Sequence, residues 1–148
     1  MTLTPLDLDH FCVMAGDDWE DITQDLGEPD APYTLAKIEG VGALQISLAL
    51  YEGGEEPQPT VPQLREMVLE SGEAHHMGTP HNIRLSEGAA LEASADFIVA
   101  GNFVRMWYVS DGLNFAKATY TCAREDLGPE LDEATQIVSS MCFADARL

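Results

Sequence analysis

The stretch from Phe103 to Cys122, FVRMWYVSDGLNFAKATYTC, holds two runs of β-branched and aromatic residues of the kind that suit a pleated surface. Asp111-Gly112 lies between them, which predicts a β-hairpin. Register decides which faces meet, because a one-residue slip exchanges them. A two-residue Asp111-Gly112 loop sets Met106 against Lys117 and Arg105 against Ala118. A three-residue loop, with Gly112 in a left-handed bulge, instead puts Val104, Met106 and Tyr108 on one face with Ala116, Ala118, Tyr120 and Cys122. Phe103, Arg105, Trp107 and Val109 then share the other with Phe115, Lys117, Thr119 and Thr121. The second register gathers the apolar residues better and is the one expected.

Upstream, residues 6–14 alternate at first and predict an opening strand. The polar segment from Gly16 to Asp30 predicts a loop, with one helical turn around Trp19–Leu26. A second hairpin follows: Tyr33–Glu39, a turn at Gly40-Val41-Gly42, then Ala43–Tyr51 with Leu44, Ile46, Leu48 and Leu50 on one face. Glu52–Pro59 reads as an exposed loop. Thr60 as N-cap, Pro62 in the first turn, and Leu64, Met67 and Val68 at helical spacing predict a helix over Val61–Ser71, stopped by Gly72. Asn82–Ser86 and Ala89–Ala100 read as strands leading into the 103–122 hairpin. In the longer strand Leu91, Ala93, Ala95, Phe97 and Val99 share a side. Beyond Gly128-Pro129, Leu131, Ala134, Ile137, Val138 and Met141 form the apolar stripe of a C-terminal helix. Strands and helices in this order predict one α+β domain over 1–148: an antiparallel β-sheet with helices packed on its faces, an α/β/α sandwich.

An opening strand runs into a Trp-containing loop, GDDWED. Next come the hairpin YTLAKIEGVGALQISLALYE and the helix VPQLREMVLES. The meander closes on WYVSDGLNFAKATYTC, and the last helix, ELDEATQIVSSMCF, follows. This layout resembles the PsbP-like and Mog-type sandwich. The resemblance covers most of the chain through pattern and order. It implies mostly non-catalytic roles, such as extrinsic photosystem subunits, a binder of a small GTPase, and bacterial effector chaperones or immunity factors. Fold alone does not fix which.

Charge narrows the picture. Twenty-six acids against seven bases give a formal net charge of −19, which argues against nucleic acid as a partner. Solubility, a basic partner protein and cation binding each account for such acidity. No run of about 18 apolar residues exists, so no membrane span is expected. The first basic residue is Lys37 and Met1–Met14 lacks the plan of a secretory signal, so a cytoplasmic protein is expected. The cysteines, Cys12, Cys122 and Cys142, show no CxxC spacing and read as reduced, buried thiols.

Candidate chemistry is sparse. His75, His76 and His81 sit near Glu73 without the spacing of a metal motif, and no metal or cofactor is expected. No nucleophile elbow, phosphate-binding loop or dinucleotide fingerprint occurs, so no catalytic residue is assigned. The acidic loop is the candidate protein-binding site: Asp17, Asp18, Trp19, Glu20, Asp21 and Asp25. It lacks the alternating oxygen ligands and central glycine of a calcium loop. Trp19 has two readings there, an aromatic contact for a partner or a cap folded back on the core. The alternative candidate is a ligand pocket between sheet and helix near Arg105 and Trp107, where Arg105 pairs with a carboxylate ligand or with a local acid. The function expected is a non-catalytic module that binds a basic protein, most concretely a bacterial immunity protein or secretion-effector chaperone. The alternative is a small enzyme or ligand binder. Oligomeric state is open, because an edge strand could pair with a second copy.

Overall fold

The meander expected over 82–122 forms one side of a seven-stranded antiparallel sheet, seen in a computed structural model that describes residues 3–8, 10–27 and 31–143. The elements in chain order are β1 (Leu3–Asp7), β2 (Phe11–Gly16), β3 (Trp19–Asp21), β4 (Tyr33–Lys37), β5 (Gly42–Ala49), α1 (Val61–Ala74), β6 (His81–Glu87), β7 (Leu91–Val99), β8 (Asn102–Ser110), β9 (Phe115–Ala123), α2 (Pro129–Ser139) and β10 (Cys142–Phe143). The large sheet runs β3-β4-β5-β9-β8-β7-β6, and β1-β2-β10 form a separate three-stranded sheet. The chain is therefore α+β, with helices packed on sheet faces as expected.

Each face of the large sheet is covered by a different layer. On one, α1 lays Leu64 and Val68 against Ala93, Ala95 and Phe97 of β7 and Val104 and Met106 of β8. On the other, β2 and α2 bury Phe11, Val13, Ala134 and Ile137 against Leu44, Ile46, Trp107, Ala118 and Tyr120. Alternation along β5 sends successive side chains to opposite faces, so Leu44 and Ile46 are wholly buried while Gln45 and Ser47 are exposed.

The β8–β9 register differs from the expected one. Arg105 faces Tyr120, Met106 faces Thr119 and Ser110 faces Phe115, so the loop has four residues, 111–114. Phe103, Trp107 and Val109 thus share a face with Ala116, Ala118, Tyr120 and Cys122, not with Lys117. The cause is the loop's own hydrogen bonding. Asp111 Oδ1 accepts from the Leu113 N–H (3.0 Å) and the Asn114 N–H (2.7 Å), while Asn114 Oδ1 accepts from the Tyr51 N–H (2.8 Å).

Other expectations shift too. The opening strand is a hairpin: β1 pairs with β2, Leu6 opposite Val13. The segment expected to be a loop contains β3, and its helical turn is a 3-10 turn over Thr23–Leu26. Residues 28–30 of that loop lie outside the described residues. Leu50 is exposed rather than buried, since β5 ends at Ala49.

Helix α1 begins as expected. Thr60 Oγ1 accepts from the Gln63 N–H (3.3 Å), and Gln63 Oε1 accepts from the Thr60 N–H (2.7 Å), a complete capping box. Gly72 does not stop the helix, which runs on to Ala74. Its role is packing: a Cβ there would lie 2.7 Å from two ring carbons of Phe97. Overpacking of this kind costs about 1–3 kcal/mol, against roughly 1 kcal/mol gained in helix propensity on replacing glycine by alanine. Gly72→Ala is thus expected to lower the urea midpoint, and Phe97→Leu in the same chain to relieve part of the loss. An unchanged midpoint in the single variant would show that the ring moves freely.

Candidate functional site

The acidic loop lies at one edge of the large sheet, because β3 is the last strand in it. Trp19 pairs with Lys37 and Asp21 with Leu35 across β4. Alternation then turns Trp19 inward and Glu20 outward. Trp19 is only 3% exposed and belongs to the main core. Its Nε1 donates to Glu133 Oε1 on α2 (3.3 Å). The indole is therefore a core residue, unavailable as an exposed contact.

Around it the carboxylates divide into two sets. Lys37 Nζ sits 2.8 Å from Glu133 Oε2 and 3.5 Å from Asp18 Oδ2, so Lys37 on β4 links α2 to the turn that precedes β3. The hydrogen bond to Glu133 is the main reason the Lys37 ammonium titrates above its ordinary range. Asp17, Glu20, Asp21 and Asp25 are exposed. Asp21 Oδ1 accepts from the Thr23 N–H (2.9 Å) and hydroxyl. Thr23 Oγ1 in turn accepts from the Thr34 N–H (2.9 Å), which ties the 3-10 turn to β4. These exposed acids therefore stand on a well-anchored edge.

Arg105 and Trp107 lie elsewhere, on the face of β8 beneath α2. Both are buried. The Arg105 fork is taken up by Asp96 of β7: Nε to Oδ1 at 2.6 Å and Nη2 to Oδ2 at 2.9 Å. Nη1 donates to Thr135 Oγ1 on α2 (3.2 Å), and Asn82 Nδ2 donates to the same Asp96 carboxylate (3.1 Å). Of the two readings of Arg105, the structure places a local acid on it.

A groove of about 150 Å³ opens over this pair, lined among others by Arg84, Glu92, Ser94, Arg105, Trp107 and Ser139. Burial pushes the Glu92 carboxyl up, while a hydrogen bond from Ser139 Oγ (3.3 Å) pulls it the other way. Arg84 and Glu92 carry no sequence signal and Ser139 lies in no nucleophile motif, because only the β6–β7–α2 packing brings the three together.

The remaining expectations concern histidines. His75 Nδ1 lies 2.8 Å from the Ser71 carbonyl at the end of α1, and His81 stands on β6 opposite Asp96. Among the described residues no three His, Cys, Asp or Glu side chains form a group able to hold a metal. Among them, too, no helix is long and apolar enough to cross a membrane.

A buried acid also ties α2 to the large sheet. Glu130, in the first turn of α2, accepts from the Val41 N–H (Oε2, 3.0 Å), the Gly42 N–H (Oε1, 3.0 Å) and the Tyr120 hydroxyl (Oε1, 3.1 Å). Burial first, then the charge of Glu130, holds the Tyr120 hydroxyl protonated well above its usual range.

No protein-family model matches this sequence, and no curated protein does. Solved structures do match. The solution structure of cyanobacterial PsbP (CyanoP) from Synechocystis sp. PCC 6803 superposes with a TM-score of 0.63 at 9% identity, over 96% of this chain and 92% of that one. A mutant of the protein Mog1 gives 0.63 at 8% identity, over 99% and 98%. A crystal structure from Bacteroides thetaiotaomicron VPI-5482 gives 0.62 at 12% identity, over 93% of this chain but only 46% of that protein's length. The chain has a PsbP/Mog1-like fold. At these identities the likeness is one of architecture.

Proposed function

We propose that this chain is a non-catalytic protein-binding module, most concretely a bacterial, cytoplasmic immunity protein or secretion-effector chaperone, that takes a basic protein against the β3 edge. The observation that carries the reading is the set of exposed carboxylates on that edge, Asp17, Glu20, Asp21 and Asp25, held in place by buried Trp19 and the Lys37–Glu133 pair. With a formal net charge of −19 behind them, they would steer a cationic partner and speed its association. Charges more than about 8 Å apart are largely screened at physiological salt, so the local cluster matters more than the total.

The test is affinity capture from the native host, read by mass spectrometry at low and high salt. It is run with the wild type and with a variant carrying Asp17→Asn, Glu20→Gln, Asp21→Asn and Asp25→Asn. A basic protein held by the wild type at low salt, lost at high salt and lost by the variant is the expected result. Equal capture by both chains would sink the reading. Asp18 is left in place because it pairs with Lys37.

A ligand-binding role at Arg105 and Trp107 has one observation in its favour, the groove lined by both. Its volume of about 150 Å³ falls below the roughly 300–1,000 Å³ of ordinary ligand pockets, and Asp96 already occupies the Arg105 fork. The protein-binding reading is the better supported.

A further inference from the structure

Cys12 on β2 and Cys142 on β10 are register partners in the small sheet. Opposed residues of an antiparallel pair send their side chains to the same face. Here it is the outer face, because Phe11, Val13 and Ala15 alternate with Cys12 and are buried. Cα atoms of such partners stand about 4.5 or 5.5 Å apart, depending on whether the pair is hydrogen-bonded. Both values lie inside the roughly 4.4–6.8 Å that a disulfide spans. All three cysteines are free; Cys142 is exposed and Cys12 partly so, whereas Cys122 is buried in the main core. The expectation of three buried thiols therefore holds only for Cys122.

We propose that Cys12 and Cys142 form a reversible dithiol site, which closes to an intramolecular disulfide by exchange with a small-molecule disulfide such as oxidised glutathione. The exposed Cys142 reacts first. Its thiolate attacks one glutathione sulfur, forming a mixed disulfide and expelling glutathione thiolate, which takes up a proton. The Cys12 thiolate then attacks the Cys142 sulfur and expels the second glutathione. The protein loses two electrons and two protons, and the glutathione disulfide is reduced to two thiols. Burial, followed by the neighbouring Cys142 and Asp7, pushes the Cys12 thiol up, which lowers its thiolate fraction and leaves the first attack to the exposed Cys142. Closure would pin β10, a strand of two residues, to β2 and hold Phe143 in the core. This site is independent of the acidic edge.

The test incubates the folded full chain with mixtures of reduced and oxidised glutathione, followed by acid quench, intact mass and peptide mapping. The expected product has lost two hydrogen atoms, carries a Cys12–Cys142 cross-link, leaves Cys122 as a thiol and exchanges the Phe143 amide proton more slowly. Cys12→Ser and Cys142→Ser each block closure, and Cys12→Ser retains a glutathione adduct on Cys142. A stable glutathione adduct on Cys142 in the wild type, a bond to Cys122, or a disulfide-linked dimer would overturn the proposal.

Discussion

Asp96→Ala is expected to destabilise the fold by about 3–5 kcal/mol, the range for removing one partner of a buried ion pair. Asp96 and Arg105 are 4% and 6% exposed, and the carboxylate accepts from both sides of the guanidinium fork. Two parallel charge-assisted bonds of this kind resist loss in a way a single surface contact does not. Alanine at 96 would leave a guanidinium beneath α2 with, among the described residues, only the Thr135 hydroxyl as its bonded neighbour, and the Asn82 amide would lose the Asp96 carboxylate. The double variant Asp96→Leu with Arg105→Met removes both charges at similar volume and should recover most of the loss. Urea unfolding monitored by circular dichroism decides the matter, provided the m-value stays constant. A single-variant loss below about 1 kcal/mol, as at exposed pairs, would mean that water reaches the guanidinium.

The same pair shows what the sequence could and could not convey. Alternation along Gly42–Ala49 is visible because one face of that strand is buried and the other is open at Gln45 and Ser47. The helix at Val61 is visible because its cap is local, with Thr60 and Gln63 satisfying each other. The β8–β9 register was misjudged because both faces of β8 are covered, one by α1 and the other by α2 and β2. Gathering apolar residues on one face is then the wrong criterion. A buried Arg105 among apolar neighbours becomes sensible only once Asp96 is set opposite it, and that pairing runs through the β7–β8 register. Acidic neighbours obscured Trp19 in a similar way. Its strand has three residues, too short for a period-2 signal, and the Glu133 carboxylate that takes its indole N–H lies on α2, more than a hundred positions later. The Cys12–Cys142 pairing was invisible for the same reason, since β10 offers no pattern of its own.

Glu130→Ala is the second large effect expected, at about 3 kcal/mol or more, because each buried donor left without an acceptor costs roughly 1–3 kcal/mol. Glu130 is 8% exposed and serves two backbone N–H groups and the Tyr120 hydroxyl at once. These donors belong to Val41 in the turn, to Gly42 at the start of β5 and to Tyr120 on β9, so one carboxylate joins α2 to both strands. The turn has no room to rebuild itself. A Cβ at Gly42 would lie 2.5 Å from the Thr121 carbonyl and 2.7 Å from the Tyr120 ring, so the backbone there is pressed against β9. Glu130→Gln provides the sharper comparison. Its amide oxygen can still accept from Gly42 and Tyr120, while its NH₂ faces the N–H of Val41, whose exposure lets water compensate. The glutamine variant should therefore lose clearly less stability than the alanine variant, and amide exchange at Val41 and Gly42 should quicken in alanine first. Equal losses in the two variants would place the contribution of Glu130 in its charge near the start of α2, and not in the hydrogen bonds it accepts.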